Sequence, residues 1–79
     1  MMQLYNIDGC GYCSMVREVL DKLQIEYEKI DVPWPHHLRK NVREISGQTS
    51  VPVLVDGDVV LDDEYDIIDY LKTTYPILS

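Results

Sequence analysis

The sequence predicts an α/β fold: a four-stranded mixed sheet with three helices, in the order β-α-β-α-β-β-α. Three observations carry that expectation. Three stretches place apolar residues three and four apart, the period of a helix with one buried face. Four short stretches rich in Val, Ile, Leu and Tyr are bounded by Gly, Pro or Asp. Asp56-Gly57 joins two of these as a hairpin turn, so the last two strands are antiparallel neighbours.

Gln3 to Ile7 reads as the first strand, ended by Asp8-Gly9. From Tyr12 to Leu23, Tyr12, Met15, Val16, Val19, Leu20 and Leu23 form one apolar face, with Arg17, Glu18, Asp21 and Lys22 opposite. Tyr27 to Val32 is the second strand. A strand, a crossover helix and a second strand imply a parallel pair. Pro33-Trp34-Pro35 is a connector, and Pro35 suits the first turn of a second helix. Leu38, Val42 and Ile45 would be the buried face of that helix, and Gly47 its C-terminal stop. Val51 to Val55 is the third strand and Val59 to Leu61 the returning fourth. Asp62-Asp63-Glu64 places acids at the positive end of a last helix, buried through Ile67, Ile68 and Leu71, with Pro76 just past its end. Three helices suffice to cover both faces of such a sheet.

The chain has 79 residues, 46% of them hydrophobic and 27% charged. That composition is one of a globular protein, and the length suits a single small domain over residues 1–79. No apolar run reaches the roughly 18 residues of a membrane span. The first residues lack the basic and apolar regions of a secretory signal, so a cytoplasmic location is expected. Seven basic residues against fourteen acidic give a net charge of −7. Such a surface repels polyanions, so neither nucleic acid nor an anionic membrane is expected as a partner.

The cysteines carry the chemistry. There are two, Cys10 and Cys13, in the run Cys10-Gly11-Tyr12-Cys13 between the first strand and the first helix. A bridge between them closes almost no loop, so it would add little stability. The free N–H groups and the positive end of a helix stabilise a thiolate at its N-terminus. Cys10 is therefore the expected nucleophile, and Cys13, about one turn further in, the shielded resolving thiol. A thiolate there attacks a substrate disulfide, and the second cysteine resolves the mixed disulfide. A structural zinc site needs four ligands, and the only other candidates, the adjacent His36 and His37, lack the usual spacing, so no metal is expected. The two histidines read most simply as a polar helix start.

With these residues in place, the sequence resembles a glutaredoxin of the thioredoxin-fold superfamily, and also the glutaredoxin-like N-terminal domain of glutathione transferases. Three blocks carry the likeness: Cys10 to Cys13; Gly47-Gln48-Thr49-Ser50-Val51-Pro52-Val53; and Leu61-Asp62-Asp63-Glu64 leading into Ile67-Ile68-Asp69-Tyr70-Leu71. The resemblance implies a thioredoxin-like fold and a dithiol–disulfide oxidoreductase working through Cys10 and Cys13. Its substrates would be protein or small-molecule disulfides. It would be a monomer with no tightly bound cofactor, recycled by glutathione or a similar small thiol as co-substrate. The resemblance also implies a cis Val51–Pro52 bond, with the Val51 backbone beside the cysteines free to pair with an extended thiol peptide. Tyr12 would flank the thiol ligand, or else pack on the helix face. Asp63 and Glu64 stand where the family holds the γ-glutamyl end of glutathione, although helix capping explains them equally well.

Several positions depart from the family pattern. Asp8 stands where many glutaredoxins have a lysine, and an anion there disfavours a thiolate at Cys10. Gly11 replaces the usual proline, and Glu64 stands where a serine is common. The glycine pair that many glutaredoxins place before the last helix is absent. Arg39, Lys40 and Arg43 could offset the acids around an anionic thiol, but solvated surface positions are the simpler expectation. Two alternatives keep the fold and change the role: a thioredoxin-like redoxin recycled by a flavoenzyme reductase, and a [2Fe–2S] carrier using Cys10 from two chains. A partner-binding module without catalysis is a third. Transferase activity is not expected of this chain alone, because the helical half of a transferase does not follow Ser79.

Overall fold

The computed structural model describes residues 2–75. Four strands, β1 (Gln3–Asn6), β2 (Glu28–Asp31), β3 (Val53–Asp56) and β4 (Val59–Leu61), form one sheet in the order β2-β1-β3-β4. β1 runs parallel to β2 and antiparallel to β3, and β3 pairs antiparallel with β4. Three α-helices, α1 (Gly11–Lys22), α2 (Lys40–Ser46) and α3 (Glu64–Thr74), complete the expected order. This is the thioredoxin-like arrangement.

The strand alternation sorts side chains to two cores. Leu4 of β1 and its register partner Leu54 of β3 point to the side of α1 and α3. There they pack with Met2, Val16, Leu20, Ile67 and Leu71, all buried. The neighbouring pair, Tyr5 and Val53, points the opposite way and packs with Val42 of α2. The larger core thus lies under two helices and the smaller under one. Each apolar side chain buried this way contributes about 1.5–3 kcal/mol.

Helix ends follow local chemistry. Cys10 is the N-cap of α1 and Asp63 the N-cap of α3. Gly47 ends α2 in the left-handed region at φ 79°, where its N–H reaches the Arg43 carbonyl at 2.9 Å. No glycine stands after α1. Gln24 takes the left-handed turn instead, at φ 56°.

The second helix departs from expectation. The run from Pro35 is no continuous helix: residues His36–Leu38 form a short 3-10 turn, and α2 begins only at Lys40. Arg39 breaks the run at φ −88°, ψ 57°. Of the expected buried face only Val42 is buried, while Leu38 and Ile45 are exposed. The reason lies at Arg39, a residue expected on the solvated surface but only 5% exposed. Its guanidinium turns inward and donates to three loop carbonyls: Nε to Pro33 O at 2.8 Å, one terminal nitrogen to Thr49 O at 2.8 Å, the other to Trp34 O at 2.6 Å. Satisfying those carbonyls outweighs the regular turn that Leu38 would have joined. Two strands also shift. The second is confined to Glu28–Asp31, and the third starts at Val53 because Pro52 has no N–H to give the ladder. Pro76 lies outside the described residues.

Candidate active site

The site begins where β1 hands over to α1. Gly9 takes φ 88° in the turn after Asp8, and the chain enters α1 through Cys10. Cys10 has extended backbone angles, and its carbonyl accepts the first helical bond from Ser14 N–H at 3.0 Å. The Cys13 N–H donates to Cys10 Sγ at 3.4 Å, so the sulfur fills the capping position normally held by an oxygen. A negative charge on Sγ would meet both that donor and the positive helix end.

Cys10 and Cys13 are both free thiols, Cys10 partly exposed and Cys13 fully buried. Burial pushes the Cys13 thiol up to about 12, helped by its hydrogen bond to the Cys10 sulfur and by that sulfur's charge. A backbone hydrogen bond from Ile7 and the charge of Arg17 pull it the other way. At neutral pH Cys13 therefore keeps its proton beside the Cys10 sulfur.

Cys10 opens on a cavity of about 190 Å³ lined by Ile7, Trp34, His36, Arg39, Ser50 and Val51. The Val51–Pro52 bond is cis, as the resemblance implied, and Val51 forms one wall of this groove. Pro52 is buried behind it. Trp34 leans over the turn: a Cβ placed on Gly9 would lie 3.7 Å from its ring. Three of the expected residues, Cys10, Cys13 and Val51, are thus brought together, with Pro52 adjoining. Tyr12 is 53% exposed and lines no part of the groove. It does not pack on the helix face, which buries Cys13, Val16 and Leu20 instead. Asp63 and Glu64 also stand outside the groove lining. One oxygen of Asp63 is occupied as the cap of α3, accepting from the N–H groups of Tyr65 at 2.9 Å and Asp66 at 3.1 Å.

The anion of Asp8 is answered locally. Its carboxylate accepts from Asn6 Nδ2 at 3.3 Å and lies 3.7 Å from Arg17 and 3.8 Å from Lys29. Asn6, buried at the end of β1, ties this cluster together: it also donates to Asp31 at 2.9 Å and accepts from Arg17 at 2.5 Å. Sequence reasoning passed over Asn6, Trp34 and the buried role of Arg39. The available signals were a polar residue within an apolar strand and a tryptophan set between two prolines. Among the described residues no three His, Cys, Asp or Glu side chains converge as a metal site, and no helix is long and apolar enough to cross a membrane.

A Cys-x-x-Cys pair at the head of α1, facing a cis-proline loop on a β2-β1-β3-β4 sheet, defines the thioredoxin-like class. The sequence pattern of the glutathione S-transferase N-terminal domain matches residues 4–77, and the chain belongs to that family. Glutathione S-transferase 1 of Dianthus caryophyllus is 34% identical over 95% of this chain and 35% of its own length. The chain therefore spans about a third of that relative. Glutaredoxin 1 of Rickettsia bellii is 31% identical over 81% of this chain and 72% of its own length. Among solved structures, a glutathione transferase homolog from Drosophila mojavensis with bound glutathione superposes with a TM-score of 0.86. It is 29% identical, over 94% of this chain and 35% of that one.

Proposed function

We propose that the chain is a dithiol–disulfide oxidoreductase of glutaredoxin type. The observation that carries this reading is the capped sulfur: Cys10 Sγ takes the Cys13 N–H at 3.4 Å, faces an open groove and has a buried, protonated thiol behind it. The Cys10 thiolate attacks one sulfur of a substrate disulfide. A Cys10–substrate disulfide forms, and half of the substrate departs as thiolate. The Cys13 thiol then attacks Cys10 Sγ, its proton passing to the second departing thiolate, and a Cys10–Cys13 disulfide remains. Two molecules of a small thiol reduce that disulfide and leave as their own disulfide. Glutathione is the thiol this reading favours, supported by the glutaredoxin relative and by the homolog carrying bound glutathione. The Val51 backbone would pair with the thiol peptide at the groove wall. Glu64 and the free oxygen of Asp63 would meet its ammonium end.

The test is a coupled disulfide-reduction assay with glutathione and glutathione reductase. Turnover is expected to vanish in Cys10→Ser. Cys13→Ser should still form a trappable mixed disulfide at Cys10. Because Cys13 stays protonated, brief iodoacetamide treatment near neutral pH should leave one adduct by mass spectrometry, on Cys10. Full turnover by Cys10→Ser, or preferential labelling of Cys13, overturns the reading.

A second reading, conjugation of glutathione to an electrophile, has the family match behind it. Conjugation of chlorodinitrobenzene that survives Cys10→Ser, without disulfide turnover by the native chain, would favour it.

A further inference from the structure

Next to the Cys10 groove lies a larger cavity of about 310 Å³, lined by His36, His37, Arg39, Lys40, Arg43 and Thr49. The two spaces share His36 and Arg39, so they adjoin. The lining is chemically one-sided. The chain has only seven Lys and Arg and fourteen acids, yet three of the seven and both histidines converge here, without one carboxylate in the wall. Among the described residues, the ion pairs lie at Asp8, and none involves Arg39, Lys40 or Arg43.

The cations differ in role. Arg39 is buried, with its donors committed to three loop carbonyls, and so contributes a fixed positive charge to the wall. Lys40 and Arg43 are exposed on α2 and are free to close on a ligand. His36 holds Thr49 Oγ1 through Nδ1 at 3.0 Å, which leaves its other ring nitrogen unengaged. A volume near 300 Å³ is at the lower end of small-molecule sites. One carboxylate is satisfied by one or two such donors. A wall with a fixed guanidinium, two mobile cations and two imidazoles suits a dianion.

Resting on the oxidoreductase reading, we propose that the preferred substrates are small disulfides carrying a phosphate. The phosphate would sit in this basic cavity while the disulfide sulfur reaches Cys10 in the adjoining groove. The overall charge of −7 makes this cavity the place where an anion is drawn rather than repelled.

The experiment mixes the dithiol form of the protein, with no other thiol present, with three disulfides and follows the rate at which Cys10 and Cys13 become oxidised. The three are the disulfide of 4′-phosphopantetheine, pantethine (the same molecule without phosphate) and glutathione disulfide. The phosphorylated disulfide should exceed pantethine in second-order rate constant by about tenfold, equivalent to about 1.4 kcal/mol. That ratio should fall to about one in the Lys40→Ala/Arg43→Ala double variant and persist in Lys72→Ala on α3. Equal rates with the phosphorylated disulfide and pantethine overturn the proposal. So does a preference for glutathione disulfide over the phosphorylated one. A separate titration of Cys10→Ser protein with inorganic phosphate, followed by amide NMR, reads the cavity without catalysis. Shifts at His36, His37, Lys40 and Arg43, together with a native chain that reduces none of the disulfides, would support the phosphate site and sink the oxidoreductase reading. No shifts there would overturn the site.

Discussion

Arg39 shows how one side chain redirects a segment. Its guanidinium holds the carbonyls of Pro33, Trp34 and Thr49, and so ties the loop before α2 to the loop before Pro52. Both loops contribute walls to the Cys10 groove. Arg39→Met strands three carbonyls and is expected to cost about 3 kcal/mol or more, since bonds to a charged group are worth roughly 1.5–3 kcal/mol each. Arg39→Lys should restore only part of this, because one ammonium cannot span three acceptors in different directions. Urea midpoints of the two variants measure the difference, and equal stability of wild type and Arg39→Met would show that the three bonds carry no weight. The cysteines need no such rescue. Their separate fates follow from position: Cys10 caps the helix in the groove, and Cys13 lies one turn along, on the face that α1 buries.

At the scale of elements, α3 depends on Asp63. Its side chain satisfies two of the N–H groups that a helix start leaves without partners. Asp63→Ala should cost about 1 kcal/mol, a fall in Tm of about 4–8 °C for a chain of this size. Asp63→Asn keeps a capping oxygen and should retain most of that stability. The pair of variants separates capping from ligand binding in thermal melts and glutathione kinetics: a normal Tm with a raised KM in Asp63→Asn would mark a carboxylate that also meets the thiol's ammonium. The hairpin and helices α1 and α3 were open to prediction from spacing and turn chemistry. Such signals are local, and Asp56-Gly57 needs no distant partner to form its turn. The element order held for the same reason. The second helix was not predictable in this way, because the side chain that breaks it does so through loops six and ten residues away.

Across the whole molecule, Asp56 joins the two ends of the last motif. One carboxylate oxygen accepts from Tyr70 Oη at 2.7 Å and from Tyr75 Oη at 2.5 Å, and the two rings meet edge to face. The contact fixes the C-terminal turn of α3 to the end of β3. Both phenol donors hold the Asp56 carboxyl below its ordinary value, and the same bonds hold Tyr70 up, to about 12, and Tyr75 above its usual range. A depressed carboxyl stabilises the fold above its unfolded value, and that contribution is lost as pH falls through the folded one. The raised phenol acts in the opposite direction: its contribution is complete below about pH 10 and disappears as pH climbs toward 12. Asp56→Asn should therefore lower stability at neutral pH and flatten both limbs of the stability profile, below about pH 4 and above about pH 10. Chemical denaturation at intervals of pH checks this. Unchanged limbs in the variant would show that the carboxylate is not the anchor.

What the chain's order of residues settled unaided is whatever depends on neighbours a few positions away: helices α1 and α3, the hairpin, the caps, and two cysteines spaced to share one helix start. Backbone hydrogen bonding and side-chain periodicity act over that range. What waited for the folded molecule is whatever joins distant segments. Arg39 was read as a surface cation and became a buried tie between loops. Trp34 was read as part of a connector and became a wall beside Cys10. The cavity of His36, His37, Lys40 and Arg43 exists only because the chain doubles back at Thr49 to enclose it. Burial and enclosure are properties of the packed whole, since a charged side chain turns inward only when carbonyls from elsewhere in the chain are already there to meet it.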